Sequence, residues 1–98
     1  MKNARLIRHD KVVDELGNIV EVKMWSLLRP SKDKPHGYKY SLVYIAGGRR
    51  VIGYDNAESK GDHKHYGERE LSYAFTTLRR LVTDFVADIE KFKRGEEL

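Results

Sequence analysis

Tyr38-Lys39-Tyr40-Ser41-Leu42-Val43-Tyr44-Ile45-Ala46-Gly47-Gly48-Arg49-Arg50-Val51-Ile52-Gly53-Tyr54 decides the fold. Tyr38, Tyr40, Leu42 and Tyr44 recur at every second position, with Lys39, Ser41, Val43 and Ile45 between them. That is the period of a strand with two unlike faces. Gly47-Gly48 is the tight turn, because glycine reaches the positive φ values that a two-residue hairpin demands. Arg49 to Tyr54 is the returning strand, and its end delivers Asp55 and Asn56 to the rim of the sheet.

The pattern extends outward in both directions. Upstream, residues 4–13 and the alternating Ile19–Leu27 run flank a turn at Asp14-Glu15-Leu16-Gly17-Asn18 and predict an antiparallel hairpin. In the second strand Val20, Val22 and Met24 share one face; Glu21, Lys23 and Trp25 share the other. Arg29 to Gly37 carries Pro30 and Pro35 and reads as a loop. Downstream the period changes. Leu78, Leu81, Val82, Phe85, Val86, Ile89 and Phe92 fall on one helical stripe, with Thr76 or Thr77 as the cap and Lys91, Lys93 and Arg94 at the end favoured by the helix dipole.

The expected architecture is α+β: an antiparallel four-stranded sheet with one long C-terminal helix packed on one face. Residues 1–98 form a single domain, with strands over 1–54, a functional loop over 55–75 and the helix over 76–94. A chain of 98 residues has room for one core. One helix covers only part of such a sheet, so the other face meets solvent or a second copy, and a homodimer is expected.

Composition narrows the function classes. With no cysteine, disulfides and thiolate metal sites are excluded. No apolar leader or membrane-length stretch occurs, so a cytoplasmic protein without a membrane partner is expected. The net charge of +4 is unevenly spread: residues 1–54 hold 11 basic and 5 acidic side chains, residues 55–98 hold 8 and 10. A basic half suits an acidic partner such as RNA.

Chemistry concentrates in Gly53-Tyr54-Asp55-Asn56-Ala57-Glu58-Ser59-Lys60-Gly61-Asp62-His63-Lys64-His65-Tyr66. Two Asp, one Asn, two Lys and two His lie within these fourteen residues. His63 and His65 are two apart, so on an extended chain both imidazoles face one side and Lys64 the other. Imidazole titrates near neutrality, so His63 and His65 suit proton exchange on a phosphodiester, with Asp55 or Asp62 orienting a ring. Lys60 and Lys64 suit the phosphate charge, and Arg49, Arg50, Arg79 and Arg80 add cations. Tyr54 is placed to stack on a base. No cofactor is demanded; a divalent metal at His63 and His65 with a carboxylate ranks below metal-free chemistry. Against these stands a plain structural reading, in which the segment is an ordered loop that staples a dimer.

The motif Gly53-Tyr54-Asp55-Asn56 followed by Lys60-Gly61-Asp62-His63-Lys64-His65 resembles the signature of the TumE family, toxins of small toxin–antitoxin modules. Pro35-His36-Gly37-Tyr38-Lys39-Tyr40, the Arg49/Arg50 hairpin, Phe75-Thr76 and Asp84-Phe85 extend the resemblance over most of the chain. Ser59 stands where the family usually has glycine. The resemblance implies growth inhibition and an antitoxin protein as partner; it implies no catalytic roles. Two functions follow: a small endoribonuclease, or a non-catalytic module that grips nucleic acid or the antitoxin.

Overall fold

The computed structural model describes residues 3–57 and 61–98. Its elements are β1 (Ala4–Val13), β2 (Ile19–Leu27), β3 (Tyr38–Ala46), β4 (Arg49–Asp55), β5 (His63–Tyr66), β6 (Arg69–Ser72) and α1 (Leu78–Lys93). The strands form one antiparallel sheet in chain order, β1 to β6. The α+β architecture is the expected one, but the sheet has six strands where the sequence predicts four. The extra pair, β5 and β6, lies within the predicted loop over 55–75. These strands are four residues each and mostly polar, so they lack the apolar alternation that marks the others; pairing of β5 to β4 and of β6 to β5 makes them strands.

The Gly47-Gly48 turn forms as predicted, with φ of 61° and 73°. Thr77, not Thr76, caps the helix: its hydroxyl accepts from the Arg80 backbone N–H at 3.0 Å. The helix stripe then meets the predicted sheet face. Leu81, Phe85 and Ile89 pack against Val22, Met24, Tyr40, Leu42, Tyr44, Ile52 and Tyr54. Fully burying a side chain such as Leu42 or Ile52 stabilises by about 2–3 kcal/mol.

The tyrosines in this layer need a partner for each hydroxyl, and carboxylates supply it. Tyr44 donates to Asp14 at 2.5 Å, Tyr40 to Asp62 at 2.7 Å and Tyr73 to Asp84 at 2.7 Å. Asp88, itself buried on the helix stripe, accepts from Tyr54 and, at 2.9 Å, from Tyr66. Burial and these acceptors push the hydroxyl pKa values of Tyr40, Tyr44, Tyr54 and Tyr73 up.

At the far edge β1 is almost wholly exposed, with Leu6, Ile7, Val12 and Val13 on its surface. The face of the sheet opposite α1 carries Trp25, with the Lys39 ammonium 4.9 Å from its ring centroid. This uncovered face also carries the imidazole pair.

Candidate active site

Register places the site. Asp55 on β4 lies directly opposite His63 on β5, and Gly53 lies opposite His65. Directly opposed residues of an antiparallel pair share a face. Tyr54, between Asp55 and Gly53, points into the core, so Asp55, His63 and His65 all point away from the helix. The pairing of Asp55 with the two histidines follows from strand period and register together.

The three side chains converge. Asp55 Oδ1 is 2.8 Å from His63 Nε2, and Asp55 Oδ2 is 3.4 Å from His65 Nε2. The imidazole rings are edge to face, with centroids 4.9 Å apart. Both histidines are buried, at 4% and 9% exposure. The Asp55 side chain, 19% exposed, is the most open of the three and marks the mouth of the group.

The other ring nitrogens face oxygens, one within hydrogen-bond distance and one beyond it. His63 Nδ1 lies 3.0 Å from the Gly61 carbonyl, which only accepts, so Nδ1 carries the proton. Gly61 holds that carbonyl in place with φ of 83°, a conformation suited to glycine. His65 Nδ1 faces the Glu70 carboxylate at 3.8 Å. Glu70 stands opposite His65 on β6.

His63 Nε2 is buried and has no hydrogen-bond partner among the described residues, despite the carboxylate oxygen 2.8 Å away. The oxygen lies close but off the direction in which a ring N–H would donate, so the contact is electrostatic and not a hydrogen bond. Burial and the Arg50 guanidinium hold the His65 pKa below the ordinary imidazole value, against the opposing pull of Asp55 and Glu70. Arg50 reaches this position because Gly53 has no side chain: a Cβ there would meet Arg50 Cδ at 3.0 Å.

Asp62 is not part of this group. One residue before His63, it falls on the other side of the chain. There it accepts from His36 Nε2 at 3.0 Å, Tyr40 Oη at 2.7 Å and Asn56 Nδ2 at 3.2 Å. His36 belongs to this second group and not to the imidazole pair. Its Nδ1 accepts from the Tyr38 N–H at 3.1 Å and its ring lies 4.0 Å from Phe75, so both nitrogens are engaged. Asn56 is fully buried and extends the β3–β4 ladder by accepting from Tyr40 N–H and donating to the Tyr38 carbonyl.

The cations expected near a phosphate are divided. Arg50 borders the imidazoles, and Arg49 and Arg50 together line an open hollow with Val51, Gly67 and Glu68. Lys64, opposite Tyr54, lies on the helix side over the Tyr54 and Tyr66 rings. Arg80 is also on that side, paired with Asp84 at 2.9 Å, and Arg79 lines a hollow with Arg8 and Met24. Lys60 lies outside the described residues. Tyr54, 1% exposed and wedged against Tyr73 and Phe85, has no face for a base. Sequence reasoning missed Glu70, which only β5–β6 pairing brings to the site. It also missed Asp88, whose one signal is a polar residue on the apolar stripe of the helix.

A family model described as Toxin TumE matches residues 2–93. The chain belongs to the TumE toxin family. No curated protein and no solved structure matches it. Membership of a toxin family carries with it an antitoxin partner. Among the described residues, no helix is long and apolar enough to cross a membrane.

Proposed function

We propose that this toxin acts by cleaving RNA phosphodiesters, with Asp55, His63 and His65 as its reactive group and Arg49 and Arg50 as its phosphate contacts. One observation carries the reading. Two adjacent strands bury two imidazoles against one carboxylate on the face that the helix leaves uncovered, and the three do not satisfy one another's hydrogen bonds. Buried polar groups left in that state are costly, and they concentrate where chemistry is done. The basic first half of the chain supplies attraction for RNA.

Within that reading, direct proton exchange by both imidazoles on the substrate is the weaker version. His63 is 4% exposed, with Nδ1 tied to Gly61 and Nε2 buried against Asp55, so neither ring nitrogen is open to a substrate. The group acts instead as a unit that activates a hydroxyl at its Asp55 mouth, and Arg50 offsets the charge that develops on the phosphate. The homodimer is not needed for this chemistry, because the described chain supplies all three groups.

Burial of both rings favours one rival, the non-catalytic grip on RNA or antitoxin. Growth inhibition by induced wild type, Asp55→Asn and His65→Ala at matched expression separates the two, alongside RNA cleavage by the purified proteins. Loss of both toxicity and cleavage in the variants is expected, with rates down at least about a hundredfold. Full toxicity in both variants would refute the proposal. Toxic wild-type protein that cleaves no RNA would support the grip.

A further inference from the structure

We propose that Asp55, His63 and His65 form a binding site for a divalent first-row metal ion of the zinc type, ligated through His63 Nε2, His65 Nε2 and an Asp55 oxygen. The ligand atoms of the three residues lie within 4.8 Å of one another. Of the two Asp55 contacts, the 3.4 Å one equals the ~3.4 Å spacing of ligand atoms around a tetrahedral ion with ~2.1 Å bonds, and the 2.8 Å one is shorter.

Two independent observations point to a cation. The first is His63 Nε2, on a side chain only 5% exposed, aimed at Asp55 and without a hydrogen-bond partner among the described residues. With its proton on Nδ1, a neutral His63 turns a lone pair toward a carboxylate oxygen 2.8 Å away, which is repulsive. A protonated His63 has an N–H that misses the oxygen. Neither protonation state satisfies the atom; a shared cation satisfies nitrogen and oxygen together. The second is the surroundings of the two rings. A metal-bound imidazole characteristically donates its remaining N–H to a backbone carbonyl or carboxylate. His63 Nδ1 has the Gly61 carbonyl, and His65 Nδ1 faces Glu70.

The donor set is nitrogen and oxygen only, which suits zinc, manganese or iron better than copper(I) or an iron–sulfur cluster. Three protein ligands leave a coordination position for water, the pattern of a catalytic zinc site and not of a closed structural one. The site stands on geometry; only its use in cleavage rests on the function proposed above.

The test is calorimetric titration of the untagged, chelator-treated chain with Zn2+, together with the visible spectrum of the Co2+ form. One equivalent per chain is expected, with the intense absorption of low-coordinate Co2+. In His63→Ala and Asp55→Asn the affinity falls by at least about a hundredfold, while His9→Ala, a histidine paired with Glu21 on the exposed hairpin, binds as wild type does. Circular dichroism confirms that the variants fold, and His65→Gln provides a third substitution of similar size. No Zn2+ binding by wild type, or equal binding by all variants, would overturn the site. Binding is measured without RNA, so a chain that binds Zn2+ but cleaves nothing retains this site and loses the proposed activity.

Discussion

Two histidine–aspartate groups lie on opposite sides of the strand that begins at His63, and they differ in completeness. On the helix side Asp62 accepts from His36, Tyr40 and Asn56, and His36 uses its second nitrogen on Tyr38. The same logic governs the four other tyrosine–carboxylate contacts of that layer. On the open side Asp55 faces two imidazoles, and His63 Nε2 has no hydrogen bond among the described residues. Similar residue types thus build a closed network on one face and an unclosed one on the other. A closed network holds structure; an unclosed buried network is where a ligand completes the bonding.

The comparison is most strongly tested by removing each carboxylate in turn. Asp62→Ala strands three partly buried donors, so unfolding free energy falls by about 3–4 kcal/mol. Asp55→Asn in the metal-free protein, whose His63 Nε2 already lacks a bond, changes stability by less than about 1 kcal/mol. Urea unfolding of the two variants measures both. Equal losses would erase the distinction between the faces.

A second, smaller effect is the pH dependence of the metal-free protein. Burial and Arg50, partly opposed by Asp55 and Glu70 and reinforced by His63, hold the folded pKa of His65 below the ~6.5 of the unfolded chain. Above that value both states are neutral at His65 and its contribution is fully present. As pH falls through about 6.5 the unfolded state takes up the proton first, and stability declines by at most about 1.4 kcal/mol per pH unit until the folded ring titrates. Urea unfolding at about pH 7.5 and about pH 5.5 reads the loss, and His65→Gln has the shallower dependence. Identical slopes for the two proteins would remove His65 from the account.

The smallest effect concerns Arg50. Its guanidinium lowers the His65 pKa, so Arg50→Gln raises that pKa toward the ordinary imidazole value with little change in stability. A proton-NMR titration of the His65 ring follows it. A downward or absent shift would mean that burial alone sets the ring's basicity.

Much of this was legible in the chain. The tyrosines of β3 and the apolar stripe of α1 announced their faces, because strand and helix periods are written directly in residue spacing. His63 and His65 were legible as a same-side pair for that reason. The same two-residue period also separates Asp62 from them, a signal that the density of chemical groups around it obscured. β5 and β6 were not legible: His63-Lys64-His65-Tyr66 and Arg69-Glu70-Leu71-Ser72 lack apolar alternation, and β5 pairs to β4 and β6 to β5 through backbone hydrogen bonds that no side chain advertises. Tyr54 looked like a base platform because a tyrosine beside cations suits either role; only the packing of Phe85 and Asp88 settled it.

The sequence by itself determined the first four strands, the helix, the buried face of each and the family, since those follow from local period and from a motif. Only the tertiary structure decided which aspartate meets the imidazoles. That choice depends on strand register, which sets residues far apart in the chain opposite one another and which local spacing does not encode.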